Sequence, residues 1–255
     1  MTTEEQIRQA AALIKASERL VVLTGAGVSK ESGVPTFRDA LDGLWSKYDP
    51  MRLATPQAFA ATPKLVWDFY EYRRRLMSPA QPNPAHLALA ELERRFPTMQ
   101  IITQNVDDLH EQAGSTRIIR LHGKISANKC SNGCQGDPTP VDVSMLTWDA
   151  EHEIPRCPHC GAYVRPDVVW FGEMLPVDQL DAAKLASARA DVMLVVGTSG
   201  TVMPASDMPH ITRRVGGKVI EINPSESELT PVTDLWLSGA AGDILPRVLA
   251  ALDEA

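Results

Sequence analysis

The sequence predicts an α/β fold in which a doubly wound, mostly parallel sheet is interrupted by a smaller inserted domain. Three short apolar runs carry this prediction, at residues 20–24, 192–196 and 218–222. Each run has the composition of a strand buried on both faces, and each is followed by a glycine or asparagine turn. Helical patterns separate the runs, and strands that alternate with helices are typical of a parallel sheet.

The individual elements follow from the spacing of apolar residues. Ile7, Ala10, Ala11 and Ile14 recur at helical spacing and predict an amphipathic helix at residues 4–17. The remaining patterns are weaker strands at residues 100–103 and 117–121, and helices at about residues 64–77, 85–95, 177–189, 204–214 and 243–253.

Two stretches break the alternation and are assigned to the inserted domain. Residues 35–63 combine turn signals with aromatics, and residues 124–166 hold all four cysteines. The cleft between the two domains is the expected ligand site. The predicted boundaries place residues 1–34, 78–123 and 167–255 in the sheet domain, residues 35–77 in a helical part of the small domain, and residues 124–166 in its cysteine-bearing part.

Length, composition and charge exclude several classes of protein. The chain has 255 residues, of which 44% are hydrophobic and 22% charged, as in an ordinary globular protein. The net charge of −7 disfavours nucleic-acid binding through the whole surface. No apolar run reaches the length of a membrane span. We therefore expect the chain to bind neither membrane nor nucleic acid directly. We also expect it to be a monomer in the cytoplasm, the setting that its cysteines favour.

The four cysteines are too few for a disulfide scaffold and favour a metal site in a reducing compartment. Cys157 and Cys160 form a C-x-x-C pair, whereas three residues separate Cys130 from Cys134. A closed site of four thiolates leaves no open position for a reacting water. We predict one structural Zn²⁺ per chain, which makes residues 124–166 the zinc-binding part of the small domain.

The C-x₃-C pair needs a loop one residue longer than the C-x-x-C pair, and Gly133 is positioned to relieve its backbone strain. An alternative is that His152 or His159 replaces one thiolate. For His159, a solvent-facing position is the preferred interpretation.

A glycine turn directly follows the first predicted strand. Gly25 and Gly27 stand between that strand and a predicted helix start. Backbone N–H groups and the positive end of a helix can bind a phosphate in that position. The dinucleotide motif has a third glycine where this chain has Lys30, so a tight turn without a ligand remains an alternative.

Residues 24–38 read Thr-Gly-Ala-Gly-Val-Ser-Lys-Glu-Ser-Gly-Val-Pro-Thr-Phe-Arg and resemble the signature of the sirtuins, the NAD-dependent protein-lysine deacylases. Further matching segments follow in the family's order, at residues 103–107, 121–123, 169–173 and 197–199, with the four cysteines between them. The resemblance extends from about residue 18 to 250. It implies a Rossmann-like NAD domain with a small zinc-bearing domain, in agreement with the insertion predicted above.

The resemblance also implies a reaction, with NAD as co-substrate. The acyl-lysine oxygen would attack C1′ of the nicotinamide ribose, and nicotinamide would leave. His122 would act as general base toward the ribose hydroxyls, giving free lysine and 2′-O-acyl-ADP-ribose. An imidazole with an ordinary pKa of about 6.5 suits this role, although a histidine at a strand end is more often structural.

The family pattern assigns further residues to NAD. The implied NAD-binding residues are Gly25, Ala26, Gly27, Ser29, Phe37, Arg38, Trp45, Gln104, Asn105, Asp107, Gly197, Thr198, Ser199, Asn223, Ser225 and Ala241. Among them Asn105 and Asp107 would hold the nicotinamide amide, with Phe37 as an apolar cover. A helix N-cap at residues 105–108 is a second interpretation, compatible with the first.

The partners implied by the resemblance are acylated-lysine proteins or peptides. In the family the segment at residues 168–173 pairs with an extended substrate peptide, which implicates Val169, Phe171 and Gly172. An ordinary core strand, with Val168 and Trp170 pointing inward, is the alternative.

The acyl group is suggested by a Tyr-x-x-Arg pair. Tyr70 and Arg73 lie three residues apart on one helical face and resemble the pair of the subgroup that removes succinyl and malonyl groups. A guanidinium can bind a terminal carboxylate while a phenol donates a further hydrogen bond. We expect removal of succinyl-type groups, with acetyl as a secondary substrate. A solvated basic face at residues 73–75 is the alternative.

Three other functions remain open. A zinc-ribbon binding module would have a basic cysteine segment, but residues 124–166 contain five acidic against four basic side chains. An NAD-dependent oxidoreductase would need a fuller dinucleotide motif. Transfer of ADP-ribose to protein would use the same activated sugar and is compatible with the sequence.

Overall fold

The computed structural model describes residues 3–35, 48–151 and 153–254. Phe37, Arg38, Trp45 and His152, which were named above, lie outside these residues.

The strands form a large parallel sheet and a small antiparallel one. They are β1 (Leu20–Thr24), β2 (Gln100–Thr103), β3 (Ile118–Arg120), β4 (Gly123–Cys130), β5 (Val164–Val168), β6 (Val192–Val196), β7 (Lys218–Asn223) and β8 (Leu235–Ser238). The large sheet has the order β3-β2-β1-β6-β7-β8 with parallel neighbours throughout. The doubly wound parallel sheet and its main strands are confirmed.

Helices cover both faces of the large sheet and build the smaller unit beside it. They are α1 (Thr3–Lys15), α2 (Pro50–Leu53), α3 (Pro56–Ala61), α4 (Pro63–Met77), α5 (Pro84–Arg95), α6 (Leu109–Gln112), α7 (Val177–Arg189), α8 (Asp207–Arg214) and α9 (Ala241–Glu254). Helices α1, α5 and α9 share one apolar cluster with the sheet, and α7 and α8 share another. The helix expected from residue 204 begins only at Asp207, because the chain first makes a turn in which the Ser206 N–H donates to the Val202 carbonyl.

A separate apolar core joins α2, α3 and α4 to β4 and β5. We call it the second core. The sequence did not predict β4 and β5, because their pairing is short and its register shifts between Lys124 and Asn128. Proline at position 166 further obscures the strand pattern of β5.

The boundaries proposed for the two domains stay a prediction. The second core supports an insertion, but β5 crosses the proposed boundary between residues 166 and 167. Within the described residues, no helix is both long and apolar enough to cross a membrane.

Candidate active site

His122 and the described residues predicted to bind NAD follow the carboxyl ends of strands of the large sheet. Thr24, the last residue of β1, pairs with Thr103 of β2 on one side and with Val196 of β6 on the other. The residues that follow these three, Gly25, Gln104 and Gly197, therefore leave the sheet side by side. The chain continues from β1 to β2 on one side and later to β6 on the other, so the strand order reverses at β1. Sheets of this kind bind ligands in the crevice expected at such a switch point.

The glycine turn after β1 packs closely against the turn after β6. A Cβ added to Gly27 would lie 2.7 Å from the Gly197 carbonyl oxygen, and one added to Gly197 would lie 2.4 Å from the Val28 nitrogen. Gly197 also has a φ of +61°, in the left-handed region. Glycine is required at both positions because a side chain at either one would clash with the backbone of the other turn.

This packing corrects one expectation about the glycine turn. The N–H of Gly25 donates to the Val196 carbonyl at 3.0 Å, that of Gly27 to the Gly197 carbonyl at 2.8 Å, and that of Val28 to the Gly25 carbonyl at 3.1 Å. The amides expected to face a phosphate are thus already paired within the fold. Ala26 is exposed at the tip of the turn and stays a predicted NAD contact.

A buried polar network lies beneath the crevice. The Ser29 hydroxyl donates to an Asp107 carboxylate oxygen at 2.9 Å and accepts from the Asn105 side-chain amide at 3.1 Å. The second Asp107 oxygen accepts the Leu109 N–H at 3.1 Å at the start of α6. Burial raises the pKa of Asp107. The interpretation of this segment as a helix start and its assignment to the site are therefore compatible.

The network includes His86, which sequence reasoning missed. Its Nε2 lies 3.4 Å from the Ser29 hydroxyl, and its Nδ1 accepts the Asn83 N–H at 3.3 Å. Because Nδ1 accepts, the ring is neutral with its proton on Nε2, and burial lowers its pKa to about 4. The Asn-Pro-x-His sequence that starts α5 was the available signal, because Asn83 and His86 form a reciprocal helix cap.

His122 lies two residues after the end of β3 and is half-buried at the same edge. Its Nδ1 lies 2.8 Å from the Gln104 carbonyl oxygen, so Nδ1 carries a proton and donates. A neutral ring then has an unprotonated Nε2. Burial lowers the pKa of His122, and the bond to Gln104 offsets part of this effect. The ordinary pKa assumed from the sequence is therefore too high, and the ring is neutral at pH 7.

Gly123 allows the chain to turn from His122 into β4. Its φ is +77°, and an added Cβ would lie 2.1 Å from the Asp167 carbonyl oxygen of β5. A backbone hydrogen bond lies beside this close approach, from the Val169 N–H to the His122 carbonyl at 3.0 Å. Gly123 thus holds the histidine next to the segment that follows β5.

Arg120 is a further residue that the sequence did not single out. Its guanidinium donates to the carbonyls of Asp107 at 2.8 Å and Asn105 at 3.3 Å, and it forms an ion pair with Glu111 at 2.6 Å. A single side chain on β3, two residues before His122, therefore ties the Asn105–Asp107 segment to the strand that carries the histidine.

Thr198 links the predicted nicotinamide side of the crevice to the predicted ribose side. The Gln104 side chain donates to the Thr198 hydroxyl at 3.0 Å, and the Asn223 side chain donates to the Thr198 carbonyl at 2.9 Å. Ser199 and Ser225 are exposed beyond these bonds, and Ala241 is the buried first residue of α9.

The four cysteines form a cluster that fits zinc. All four sulfur atoms lie within 4.8 Å of one another, with Cys130 and Cys160 3.5 Å apart and Cys134 and Cys157 3.8 Å apart. Zinc–sulfur bonds of about 2.3 Å in a tetrahedron require sulfur separations of about 3.8 Å. The donor set and its spacing therefore fit one structural Zn²⁺.

The loop between Cys130 and Cys134 accommodates its extra residue through the backbone conformation of a glycine. Gly133 has a φ of +55°, a conformation that favours glycine. His159 is exposed, as preferred from the sequence.

The three consecutive arginines of α4 have different environments. Arg73 is 5% exposed, with its guanidinium 5.9 Å from the Phe69 ring centroid. Arg74 donates to the Ile125 carbonyl at 2.6 Å, and Arg75 is exposed. The interpretation of these residues as one solvated basic face is therefore wrong.

Tyr70 lies on the same helix and is 1% exposed. Its hydroxyl accepts the indole N–H of Trp170 at 2.9 Å, and burial raises its pKa to about 12. Trp170 is also buried, whereas Phe171 and Gly172 are exposed and Val169 is half-buried. Since β5 ends at Val168, residues 169–173 leave the strand and turn toward solvent, with only part of the segment pointing inward.

A doubly wound sheet with a polar crevice at its switch point and a four-thiol module defines a Rossmann-like protein with a zinc-binding insertion. Residues 25–204 match the Sir2 family. A Pyrococcus abyssi protein named NAD-dependent protein deacylase is 50% identical over 243 residues, covering 95% of this chain and 96% of that protein.

Solved structures give the same result. A Sir2 homolog–NAD complex has a TM-score of 0.88 and 47% identity and covers 96% of this chain and 93% of its own. A structure described as Sir2 bound to acetylated peptide has a TM-score of 0.85 and 32% identity over the full length of both chains. The chain belongs to the Sir2 family.

Proposed function

We propose that this chain is an NAD-dependent protein-lysine deacylase. It would convert an acyl-lysine, NAD and water to free lysine, nicotinamide and 2′-O-acyl-ADP-ribose. The observation that carries the proposal is the His122 ring, whose Nδ1 is bonded to the Gln104 carbonyl at the carboxyl edge of the sheet. Family membership and the printed names of the relatives support the reaction class.

NAD supplies an activated ribose carbon and nicotinamide as a leaving group. The protein's part in the chemistry is proton transfer and positioning. The Nδ1–H of neutral His122 donates a hydrogen bond to the Gln104 carbonyl, so the unprotonated Nε2 can accept a proton from a ribose hydroxyl. Asn105 and Asp107 would hold the nicotinamide amide, and their orientation is fixed by Ser29. The remaining predicted NAD contacts would bind the ribose, phosphate and adenine parts.

The four thiolates would hold zinc away from the reacting atoms. A closed set of protein ligands gives the ion a structural role, in which it joins the end of β4 to the segment before β5. The exposed Phe171 and Gly172, together with Val169, would pair with the substrate peptide.

The proposed acyl groups are of the succinyl and malonyl type, with acetyl as a secondary substrate. Tyr70 and Arg73 are both almost fully buried and lie one helical turn apart on α4. Burial strengthens the attraction between a guanidinium and a carboxylate. It also keeps the phenol protonated, so that the Tyr70 hydroxyl can donate a hydrogen bond. A neutral acetyl group would use neither of these interactions.

One experiment tests the reaction class. The protein is incubated with NAD and peptides of one sequence that carry acetyl-, malonyl- or succinyl-lysine, and the products are identified by mass spectrometry. Nicotinamide and acyl-ADP-ribose are expected in equal amounts. ADP-ribose attached to protein, without deacylated peptide, would instead support ADP-ribosyl transfer. A reduced nicotinamide product would indicate an oxidoreductase.

A second experiment tests the acyl preference. Arg73→Met should lower kcat/KM for the succinyl peptide by at least about tenfold while changing the acetyl value little. Arg75→Met, on the exposed face of the same helix, is the matched control. An unchanged ratio of succinyl to acetyl activity in Arg73→Met would contradict the assignment. Monomeric state, cytoplasmic location and lack of nucleic-acid binding stay predictions from the sequence.

A further inference from the structure

Trp170 connects the segment after β5 to α4, the helix that carries Tyr70 and Arg73. Its indole N–H donates to the Tyr70 hydroxyl at 2.9 Å, although the two residues are 100 positions apart in the sequence. Both side chains are no more than 2% exposed. The hydrogen bond is therefore shielded from water, and its direction is fixed because an indole N–H can only donate.

The tryptophan is held rigidly from its other side. The guanidinium carbon of Arg165 lies 3.3 Å from the Trp170 ring centroid, and the Phe59 centroid lies 5.2 Å from it. Arg165 is fixed by Glu173 at 2.9 Å, and Glu173 accepts the Trp170 backbone N–H at 2.8 Å. The ring and the backbone of Trp170 are thus clamped by one ion pair.

The Trp170 hydrogen bond constrains what the Tyr70 hydroxyl can do. A phenol oxygen accepts through its lone pairs and has one proton to donate. Trp170 occupies an accepting position, so the Tyr70 proton must point elsewhere. Among the residues that the structure describes, the Tyr70 hydroxyl forms one side-chain hydrogen bond, the one that it accepts from Trp170. A buried donor without a partner is unfavourable, and an acceptor on a bound acyl chain would relieve this.

We propose that Trp170 is a positioning residue for acyl selectivity, which orients the Tyr70 hydroxyl as a donor toward the end of the acyl chain. A terminal carboxylate accepts that hydrogen bond, whereas an acetyl methyl leaves the donor unpaired. This inference rests on the proposed preference for dicarboxylic acyl groups. It assigns part of that preference to a side chain outside the Tyr-x-x-Arg pair.

The test is a double-mutant cycle with wild type, Tyr70→Phe, Trp170→Phe and the double variant. For each protein, kcat/KM is measured with succinyl and acetyl peptides of one sequence at saturating NAD. The ratio of the two values cancels a general loss of folded or active protein. Trp170→Phe keeps a ring over Arg165 but lacks the N–H. It should lower the succinyl-to-acetyl ratio by about tenfold, and it should lower it no further when Tyr70 is already Phe.

The outcomes separate the inference from the proposed function. If Tyr70→Phe lowers the ratio and Trp170→Phe does not, the inference is overturned and the proposed acyl preference stands. An equal effect of Trp170→Phe with and without the Tyr70 hydroxyl also overturns it, since the effect would not pass through that hydroxyl. A wild type without any succinyl preference overturns both. Tyr72→Phe, which removes a hydroxyl from the same helix, should leave the ratio unchanged.

A second variant tests the same inference if Trp170→Phe fails to fold. Replacement of Trp170 by 3-benzothienylalanine keeps the shape of the bicyclic ring and exchanges the N–H for sulfur. The same loss of selectivity is expected, and retained selectivity in this folded variant would overturn the inference.

Discussion

The sheet edge and the second core position their functional residues by different means. At the sheet edge, Gly25, Gln104 and Gly197 each follow the end of a strand, and the parallel register alone brings them side by side. In the second core, Tyr70 and Trp170 meet only because α4 packs against the chain that leaves β5.

The difference has a physical consequence for each region. The edge is stabilised by the backbone hydrogen bonds of the parallel sheet and by the buried hydrogen bonds among Ser29, Asn105 and Asp107. The second core contains a two-stranded sheet, which is only marginally stable by itself, and two of the four thiols that fit a metal, Cys130 and Cys157. The residues proposed for the reaction thus lie at the edge of the large sheet, and those proposed for acyl selectivity lie in the core beside the four thiols.

Removal of zinc should have the largest effect and should separate the two regions. Structural zinc contributes apparent free energies on the order of 10 kcal/mol, so chelation is expected to unfold the second core and abolish deacylation. Hydrogen exchange should increase at β4 and β5 while β1 and β6 stay protected. Added zinc should restore activity. Full activity in protein shown by elemental analysis to be metal-free would contradict this.

Replacement of His122 tests the sheet edge alone. His122→Ala should lower kcat/KM by about 10²- to 10⁴-fold, because it removes the proposed base while the surrounding strands remain. The exposed His159 gives the control variant His159→Ala, which should keep wild-type activity. Since the pKa of His122 is lowered, wild-type kcat/KM should stay high as the pH falls to about 6.5 and decline only below it. A decline already complete above pH 7 would rule His122 out as the base.

The buried histidines should make the sheet edge sensitive to acid. Burial lowers the pKa of His86 to about 4 and that of His110 to about 3. The unfolded chain then binds more protons than the folded one below about pH 6.5, so stability is complete above that pH and falls as the pH drops toward 4. Each histidine contributes up to about 1.4 kcal/mol per pH unit. Asp107, whose pKa is raised, acts in the opposite direction.

Denaturant unfolding between pH 4 and 7 measures this slope. His110→Leu should flatten it, whereas His159→Ala should not. An identical slope in His110→Leu and wild type would show that His110 does not contribute.

Arg120 should give the smallest of these effects. Arg120→Met leaves the Asn105 and Asp107 carbonyls without a donor, which we expect to raise the KM for NAD and lower kcat/KM by about tenfold. Arg120→Lys should recover part of the loss. Arg189→Met, at an exposed arginine, is the control. If Arg120→Met changed stability but not the KM for NAD, its role would be structural only.

The sequence predicted those parts of the site that depend on position along a strand. The apolar runs identified β1, β6 and β7, and the residue after each strand was correctly expected at the carboxyl edge. Cysteine spacing likewise indicated a cluster that the structure brings together. Periodicity failed for β4 and β5, where a register shift breaks the pattern.

The sequence by itself determined the sheet, its edge and the metal-binding set, because burial periodicity and thiol spacing are local properties. Only the tertiary structure decided how side chains distant in sequence pair. It showed that the glycine amides after β1 are used within the fold, that Arg120 joins the Asn105–Asp107 segment to β3, and that the Trp170 indole N–H donates to the Tyr70 hydroxyl. Among these hydrogen bonds, the one from the Gly25 N–H to the Val196 carbonyl joins residues 171 positions apart, and no local pattern specifies it.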